Sequence, residues 1–220
     1  MDHGTGLTLY YHPFASFCQK VLIALYENEI PFTPHLVDLG DASAREAFRA
    51  IWPIGRFPVL GVAERGRVVP ESTTIIEYLA VHYPGHSELV PADPGQALEV
   101  RFRDRFFDIY VDEPMQKIVT DRLRPEGGHD PVGVEAAREL LATAYGLIET
   151  VMAERAWAAG DRFSMADCAA APALFYANWV QPLGETHPAT AAYLARLRAR
   201  PSVSRVVEEA RPYRPLFPAG

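Results

Sequence analysis

Four side chains that can do chemistry cluster where a predicted strand gives way to a predicted helix, at Tyr11, His12, Ser16 and Cys18. The open N-terminus of a helix favours anions, a hydroxyl there can donate to one, and a thiol there ionises more easily. The pattern indicates stabilisation of a thiolate or another anion. A structural alternative remains open, because Ser16 and Gln19 have the spacing of a capping box. A lone cysteine is also often inert, and strand aromatics often belong to the core.

A second group of polar residues, Glu71 and Ser72, begins another predicted helix. The hydroxyl and the helix N-terminus suit a carboxylate, and the Glu71 carboxylate suits an amine. The alternative is an ordinary helix cap. Between the two groups, the segment Gly55–Leu60 carries Pro58 directly before an apolar run, which predicts a turn into a strand.

The elements around these residues follow the order strand, helix, strand, helix, two strands, helix. The predicted strands cover Leu7–Tyr11, Ile30–Leu36, Phe57–Val62 and Arg67–Val69, and the predicted helices cover 16–28, 43–50 and 72–81. The helix at 43–50 is expected to begin at Ser43, with Glu46 closing a capping box. Prolines in the second strand predict a sheet edge. The order βαβ-α-ββα is the thioredoxin-like arrangement, an α+β fold.

After residue 84 the pattern becomes entirely helical. A linker rich in proline and glycine is expected at 85–95, between a domain at 1–84 and an all-helical domain at 96–220. Leu98, Phe102, Phe106, Ile109 and Val111 suggest the apolar face of its first helix. Further helices are predicted at 134–152, 164–179, 189–199 and 202–210, with a loop at 121–133. Ser164 and Asp167 have capping-box spacing, which predicts a structural helix start.

Composition narrows the functional classes. Apolar residues make up 49% and charged residues 22% of the 220 residues, as in ordinary globular proteins. The net charge of −7 argues against nucleic acid as a partner, and no apolar run is long enough to span a membrane. Two cysteines and no evident signal sequence in residues 1–4 favour the cytoplasm.

Four segments together resemble the bacterial cytosolic glutathione S-transferase family. They are Cys18–Leu25, Gly55–Leu60, Glu71–Leu79 and Ser164–Asp167, in the family's order and across nearly the whole chain. The resemblance implies glutathione as co-substrate, no metal, and a homodimer. It also implies a cis peptide bond before Pro58.

The resemblance assigns a role to each segment of the predicted glutathione site. The glutathione carboxylate would meet Ser72, its amine Glu71, and its cysteinyl unit the backbone of Val59. The remaining expected contacts of the peptide are Phe14, Arg56 and Phe57.

The thiol is the implied reactive group. A free thiol has a pKa near ~8.5, and lowering it by ~2 units requires ~2.7 kcal/mol. Ser16 is the expected donor, with Cys18, Tyr11 and His12 as alternates. The sequence departs from the family at Ala15, because related chains often carry serine at both 15 and 16.

The resemblance implies transfer of the thiolate to a small, apolar electrophile, as in detoxification. Glutathione-dependent isomerisation or reduction remains an alternative, as does a non-catalytic glutathione-binding or interaction module. The electrophile is expected between the domains. The candidate lining residues are aromatic: Phe14, Phe106, Tyr110, Tyr176, Trp179 and Phe217.

Overall fold

The computed structural model describes residues 6–218. Residues 1–4, in which no signal sequence was evident, lie outside the described residues. The first domain contains the expected elements in the expected order. They are β1 (Leu7–Tyr11), α1 (Ser16–Glu27), β2 (Thr33–Leu36), α2 (Ala42–Ile51), β3 (Val59–Val62), β4 (Arg67–Pro70) and α3 (Ser72–His82). The thioredoxin-like prediction is confirmed.

The four strands form one sheet in the order β2-β1-β3-β4. β1 and β2 are parallel, whereas β3 is antiparallel to both β1 and β4. This order confirms the predicted edge position of β2, whose one proline, Pro34, needs no ladder partner on the outer side. Tyr10 pairs with Val59 and Val59 with Pro70, so these three residues form one row across the sheet.

The second part of the chain is helical, as predicted. Its helices are α4 (Pro94–Phe107), α5 (Glu113–Arg122), α6 (Pro131–Met152), α7 (Met165–Val180), α8 (Pro188–Ala199) and α9 (Pro201–Ala210). A π-helical turn at Asp108–Asp112 joins α4 to α5, and a 3₁₀ turn at Arg211–Leu216 follows α9. Residues 83–93 form neither helix nor strand. Proline opens α4, α6, α8 and α9, where its missing N–H costs no helical hydrogen bond.

Two local predictions are wrong. Asp41, and not Ser43, caps α2, because its carboxylate accepts from the Ala44 N–H at 2.7 Å. The apolar face expected for α4 is also shifted, because Leu98 and Phe102 are exposed. The face that is buried instead includes Asp104.

The two halves share one continuous hydrophobic core, in which α1 packs against α7 and α9. The capping box at the start of α7 forms as predicted. The Asp167 carboxylate accepts from the Ser164 N–H at 2.9 Å and from its hydroxyl at 3.1 Å. Within residues 6–218, no helix is long and apolar enough to cross a membrane.

Candidate functional site

The three polar segments of the first domain meet where β1 and β4 end and β3 begins, and this end of the strands is called the sheet edge below. The row Tyr10–Val59–Pro70 marks this edge, because β1 ends just beyond Tyr10, β3 begins at Val59, and β4 ends at Pro70. The start of α1, the Phe57–Pro58 bond and Glu71 therefore lie side by side.

The start of α1 differs from its prediction. Ala15 is the N-cap, with an extended backbone (φ −85°, ψ 126°) and no side chain that can cap. The capping box that Ser16 and Gln19 offered as an alternative does not form at this helix start. Gln19 instead donates to the Pro13 carbonyl at 2.9 Å and to the Tyr176 hydroxyl at 2.8 Å. These bonds fasten the loop before α1 to the helical domain.

The Ser16 hydroxyl turns toward the helical domain. It donates to Asp112 Oδ2 at 3.1 Å and accepts from Gln116 Nε2 at 3.1 Å, and Ser16 is buried. Its one proton is therefore already engaged. The first helical bond of α1 joins the Gln19 N–H to the Ala15 carbonyl, so the N–H groups of residues 16–18 remain at the open helix end.

The alternates Cys18 and Tyr11 are not activated. Burial raises the pKa of the Cys18 thiol, which is fully buried and accepts from the His12 N–H at 3.5 Å. Burial also raises the pKa of Tyr11, and the nearby Glu209 carboxylate adds to this effect. Neither side chain is a ready anion at neutral pH.

His12 is the alternate that lies best for a role in the site. Its Nδ1 accepts from the Phe14 N–H at 3.2 Å, which leaves Nε2 as the protonated nitrogen of the neutral ring. The ring stacks on Phe57 and meets the edge of Tyr213, with centroids 6.3 and 4.7 Å apart. Burial lowers the pKa of His12, which favours this neutral donor form.

The second segment contains the predicted cis bond between Phe57 and Pro58. Pro58 and Val59 are buried, Phe57 is partly buried, and Arg56 is exposed. Val59 is the first residue of β3 and lies between β1 and β4.

The third segment is the start of α3. Glu71 is its N-cap and has a φ of 70°, in a backbone region that non-glycine residues rarely occupy. Its side chain makes no capping bond and is exposed. Ser72 is buried, and its hydroxyl makes no hydrogen bond to any described residue. Neither residue is an ordinary cap, so the helix N-terminus stays open to a ligand.

Behind both helix starts lies a buried charged cluster that the sequence did not indicate. Lys20 Nζ lies 2.7 Å from Asp104 Oδ1 and 2.8 Å from Asp108 Oδ2, and it donates to Thr73 Oγ1 at 2.9 Å. Thr73 in turn donates to Asp104 at 2.6 Å. The cluster joins α1, α3 and α4, because Lys20, Thr73 and Asp104 lie on these three helices. It therefore fixes the position of Ser72, the neighbour of Thr73.

Asp112 continues this acidic row one turn beyond Asp108. It is 2% exposed, and burial raises its pKa to about 7, with the charge of Asp108 contributing. Bonds from Ser16 and Gln116, and the charge of Lys20, act in the opposite direction. Sequence reasoning missed Asp112 because its partners are distant in the chain.

Four of the predicted pocket aromatics come together. Phe14 contacts Tyr176, Trp179 and Phe217 at ring-centroid distances of 5.3, 6.4 and 6.4 Å. Phe106 and Tyr110 instead contact each other at 5.4 Å, and none of their ring contacts reaches Phe14. Within residues 6–218, no group of three or more His, Cys, Asp or Glu side chains is arranged to hold a metal.

Two family models match the chain. Residues 9–87 match the glutathione S-transferase N-terminal domain, and residues 120–201 match the glutathione S-transferase C-terminal domain. Together they cover both parts of the fold and contain all three segments of the sheet edge.

Curated relatives carry three different kinds of description. A glutathione S-transferase-like protein, LUC7, of a Fusarium species is 32% identical, covering 72% of this chain and 71% of its own. FtsZ-localized protein A of Caulobacter vibrioides is 29% identical, covering 88% and 87%. Maleylacetoacetate isomerase of Pseudomonas aeruginosa is 29% identical, covering 78% and 81%.

Solved structures share the whole architecture. A glutathione S-transferase of Methylobacterium radiotolerans in complex with glutathione sulfonate has a TM-score of 0.78 and 26% identity. The match covers 91% of this chain and 94% of that one. A glutathione S-transferase of Methylobacillus flagellatus with glutathione bound has a TM-score of 0.83 at 24% identity, covering 91% and 98%, which supports the fold.

Proposed function

Since the chain belongs to the glutathione S-transferase family, we propose that it binds glutathione at the sheet edge and transfers its thiolate to a small, apolar electrophile. One observation carries this proposal. The starts of α1 and α3 and the Phe57–Pro58 bond lie side by side, and both helix starts lack a side-chain cap. An extended peptide with a carboxylate at one end and a thiolate on its middle residue suits this arrangement, because each helix start can hold one of these anions.

In the proposed complex, three groups hold the peptide. The α-carboxylate lies at the start of α3, where the free Ser72 hydroxyl and the backbone N–H groups donate to it. The α-amine pairs with the exposed Glu71 carboxylate, and the cysteinyl unit extends along the backbone at Val59. Phe57 and Arg56 flank this contact.

The thiolate lies at the start of α1 in this proposal. Because the Ser16 hydroxyl is engaged by Asp112, we assign activation to the open N–H groups of residues 16–18 and to His12 Nε2. Ser16 then serves as a positioning residue that ties α1 to the helical domain. Cys18 has no part in the reaction, since it is buried and protonated.

The electrophile is proposed to bind at the aromatic cluster of Phe14, Tyr176, Trp179 and Phe217, which adjoins the start of α1 through Phe14. Stacking and apolar contact would hold it beside the thiolate. Arg214 lies over Trp179 at 5.0 Å and could attract a polar or anionic substituent. We propose that the enzyme works in the cytoplasm as a homodimer, as the family resemblance implies.

Isomerisation is the second candidate, because it begins with the same thiolate and because one relative is described as an isomerase. A panel of electrophiles, scored for loss of free thiol, separates the two reactions, since transfer consumes glutathione and isomerisation regenerates it. We expect the loss of free thiol to be proportional to the amount of product formed, as transfer requires.

Glu71→Gln should lower turnover at subsaturating glutathione by about 10- to 100-fold, because one charged hydrogen bond is worth roughly 1.5–3 kcal/mol. Thr74→Ala is the matched control on the exposed side of the same helix turn. Equal activity of Glu71→Gln and Thr74→Ala would rule out this site.

A further inference from the structure

Asp112 lies directly behind the start of α1. Its Oδ2 accepts from the hydroxyl of Ser16, the first residue of that helix, at 3.1 Å. Its Oδ1 is buried and has no hydrogen-bond partner among the described residues. Asp112 belongs to a π-helical turn, a rare element that is frequent at functional sites. One buried carboxylate oxygen is thus free to carry a proton.

The charges around Asp112 leave it without a counterion of its own. Asp104, Asp108 and Asp112 are spaced one helical turn apart, and they face Ser16 and Lys20, one turn apart on α1. Lys20 contacts the first two aspartates only. With every group ionised, this single cation would leave two negative charges uncompensated in a buried cluster, which is unfavourable.

A thiolate at the start of α1 would add another negative charge one side chain away from Asp112. Neighbouring buried acids ionise as a coupled pair, and the second ionisation is suppressed. The other groups that face Asp112 are Lys20 from α1, Asp108 from its own turn and Tyr176 from α7, while α5 contributes the uncharged Gln116. The raised pKa of Asp112, about 7, fits this environment.

We propose that Asp112 holds the proton which the glutathione thiol loses, so that the bound thiolate and a neutral Asp112 form together. The S–H bond breaks and sulfur keeps the electron pair, while an O–H bond forms at Asp112, so the charge of the site does not change. This inference rests on the proposed glutathione site and adds a proton store to it. The number of protons released to the buffer is the same whether water or side chains carry the proton from the thiol to Asp112.

The test counts protons and thiolate on the same wild-type samples at pH 7.5. Calorimetry in two buffers of different ionisation enthalpy gives the protons released on glutathione binding, and ultraviolet absorbance gives the thiolate formed. S-methylglutathione, which has no thiol, supplies the baseline. At this pH about nine tenths of free thiols are protonated, so full ionisation frees about 0.9 proton. We expect roughly 0.2 to reach the buffer, because Asp112 takes up the rest.

Asp112→Asn keeps an acceptor for Ser16 but cannot bind an additional proton near neutral pH, so the variant should release about 0.9 proton per thiolate, roughly fourfold more than the wild type. Glu113→Gln makes the same charge change at the exposed neighbouring residue and should behave as the wild type. The wild-type comparison stands even where Asp112→Asn folds poorly.

Two results overturn the inference in distinguishable ways. Release of about 0.9 proton per thiolate in the wild type refutes only the role of Asp112 as the proton acceptor. Failure of glutathione to bind, or binding without thiolate, refutes the proposed function and the inference with it.

Discussion

Replacing Ala15 by serine should install a hydroxyl where glutathione S-transferases often carry one. The N-cap backbone of Ala15 is already extended, at φ −85° and ψ 126°, so serine fits without rearrangement. Its oxygen would accept from an N–H group of the first turn, while its proton would point at the thiolate. Capping alone should raise the free energy of unfolding by about 1 kcal/mol.

The donated hydrogen bond should have a larger effect on the thiol. A hydrogen bond to a charged group contributes roughly 1.5–3 kcal/mol, which corresponds to lowering the pKa of the bound thiol by about one to two units. Thiolate absorbance titrated against pH measures this shift, and denaturant unfolding measures the cap. Turnover at pH values below the pKa of the bound thiol should rise with the thiolate fraction, by up to about tenfold.

Ala15→Gly is the matched control, because glycine caps a helix nearly as well as serine but offers no hydroxyl. It should leave the thiol pKa unchanged. If Ala15→Ser gains stability and the thiol pKa stays where it was, the thiol does not lie at the start of α1, and the assigned site is refuted.

Three further predictions concern the groups behind and beside the site. Between about pH 4 and 7 the native protein holds the Asp112 proton and the unfolded chain does not, so wild-type stability should fall as pH rises. At pH 8, Asp112→Asn should therefore be about 4 kcal/mol more stable than the wild type in urea titrations. Parallel curves of stability against pH for the two proteins would contradict this. Lys20→Met leaves Asp104 and Asp108 buried without a cation, and in urea titrations it should lower the free energy of unfolding by about 3–5 kcal/mol. A change below about 1 kcal/mol would show instead that protonation of the aspartates neutralises the cluster. His12→Ala should lower kcat by about tenfold with little change in KM for glutathione. Because burial lowers the pKa of His12, the neutral ring should stabilise the thiolate throughout the range from about pH 7 to 8. Equal kcat values for the variant and the wild type would show that His12 does not stabilise the thiolate.

The fold was predictable because its signals are local. The short apolar run Leu7–Tyr11 predicted β1, the prolines at 31 and 34 marked a sheet edge, and the pair Ser164 and Asp167 marked the start of α7. The meeting of the three polar segments follows from the observed strand order, since antiparallel neighbours bring the end of one strand to the start of the next.

The interior of the site was not predictable, because its contacts join distant parts of the chain. Ser16 was expected to donate to the thiolate or to cap α1, but its partners Asp112 and Gln116 lie 96 and 100 residues away. The face of α4 was misplaced for the same reason. A pattern of apolar residues places an aspartate such as Asp104 on the exposed face of a helix, because charged residues are buried only when they are paired. The sequence pattern does not reveal that its partner is Lys20.

Calorimetric titration of the wild-type protein with glutathione measures whether the sheet edge binds this peptide. We expect saturable one-site binding with a dissociation constant below about 1 mM, in the range of ordinary enzyme substrates. Ser72→Ala should weaken this binding by about tenfold, the loss of one hydrogen bond to a carboxylate. The absence of binding heat at roughly 10 mM glutathione, ten times that limit, would show that the sheet edge is not a glutathione site.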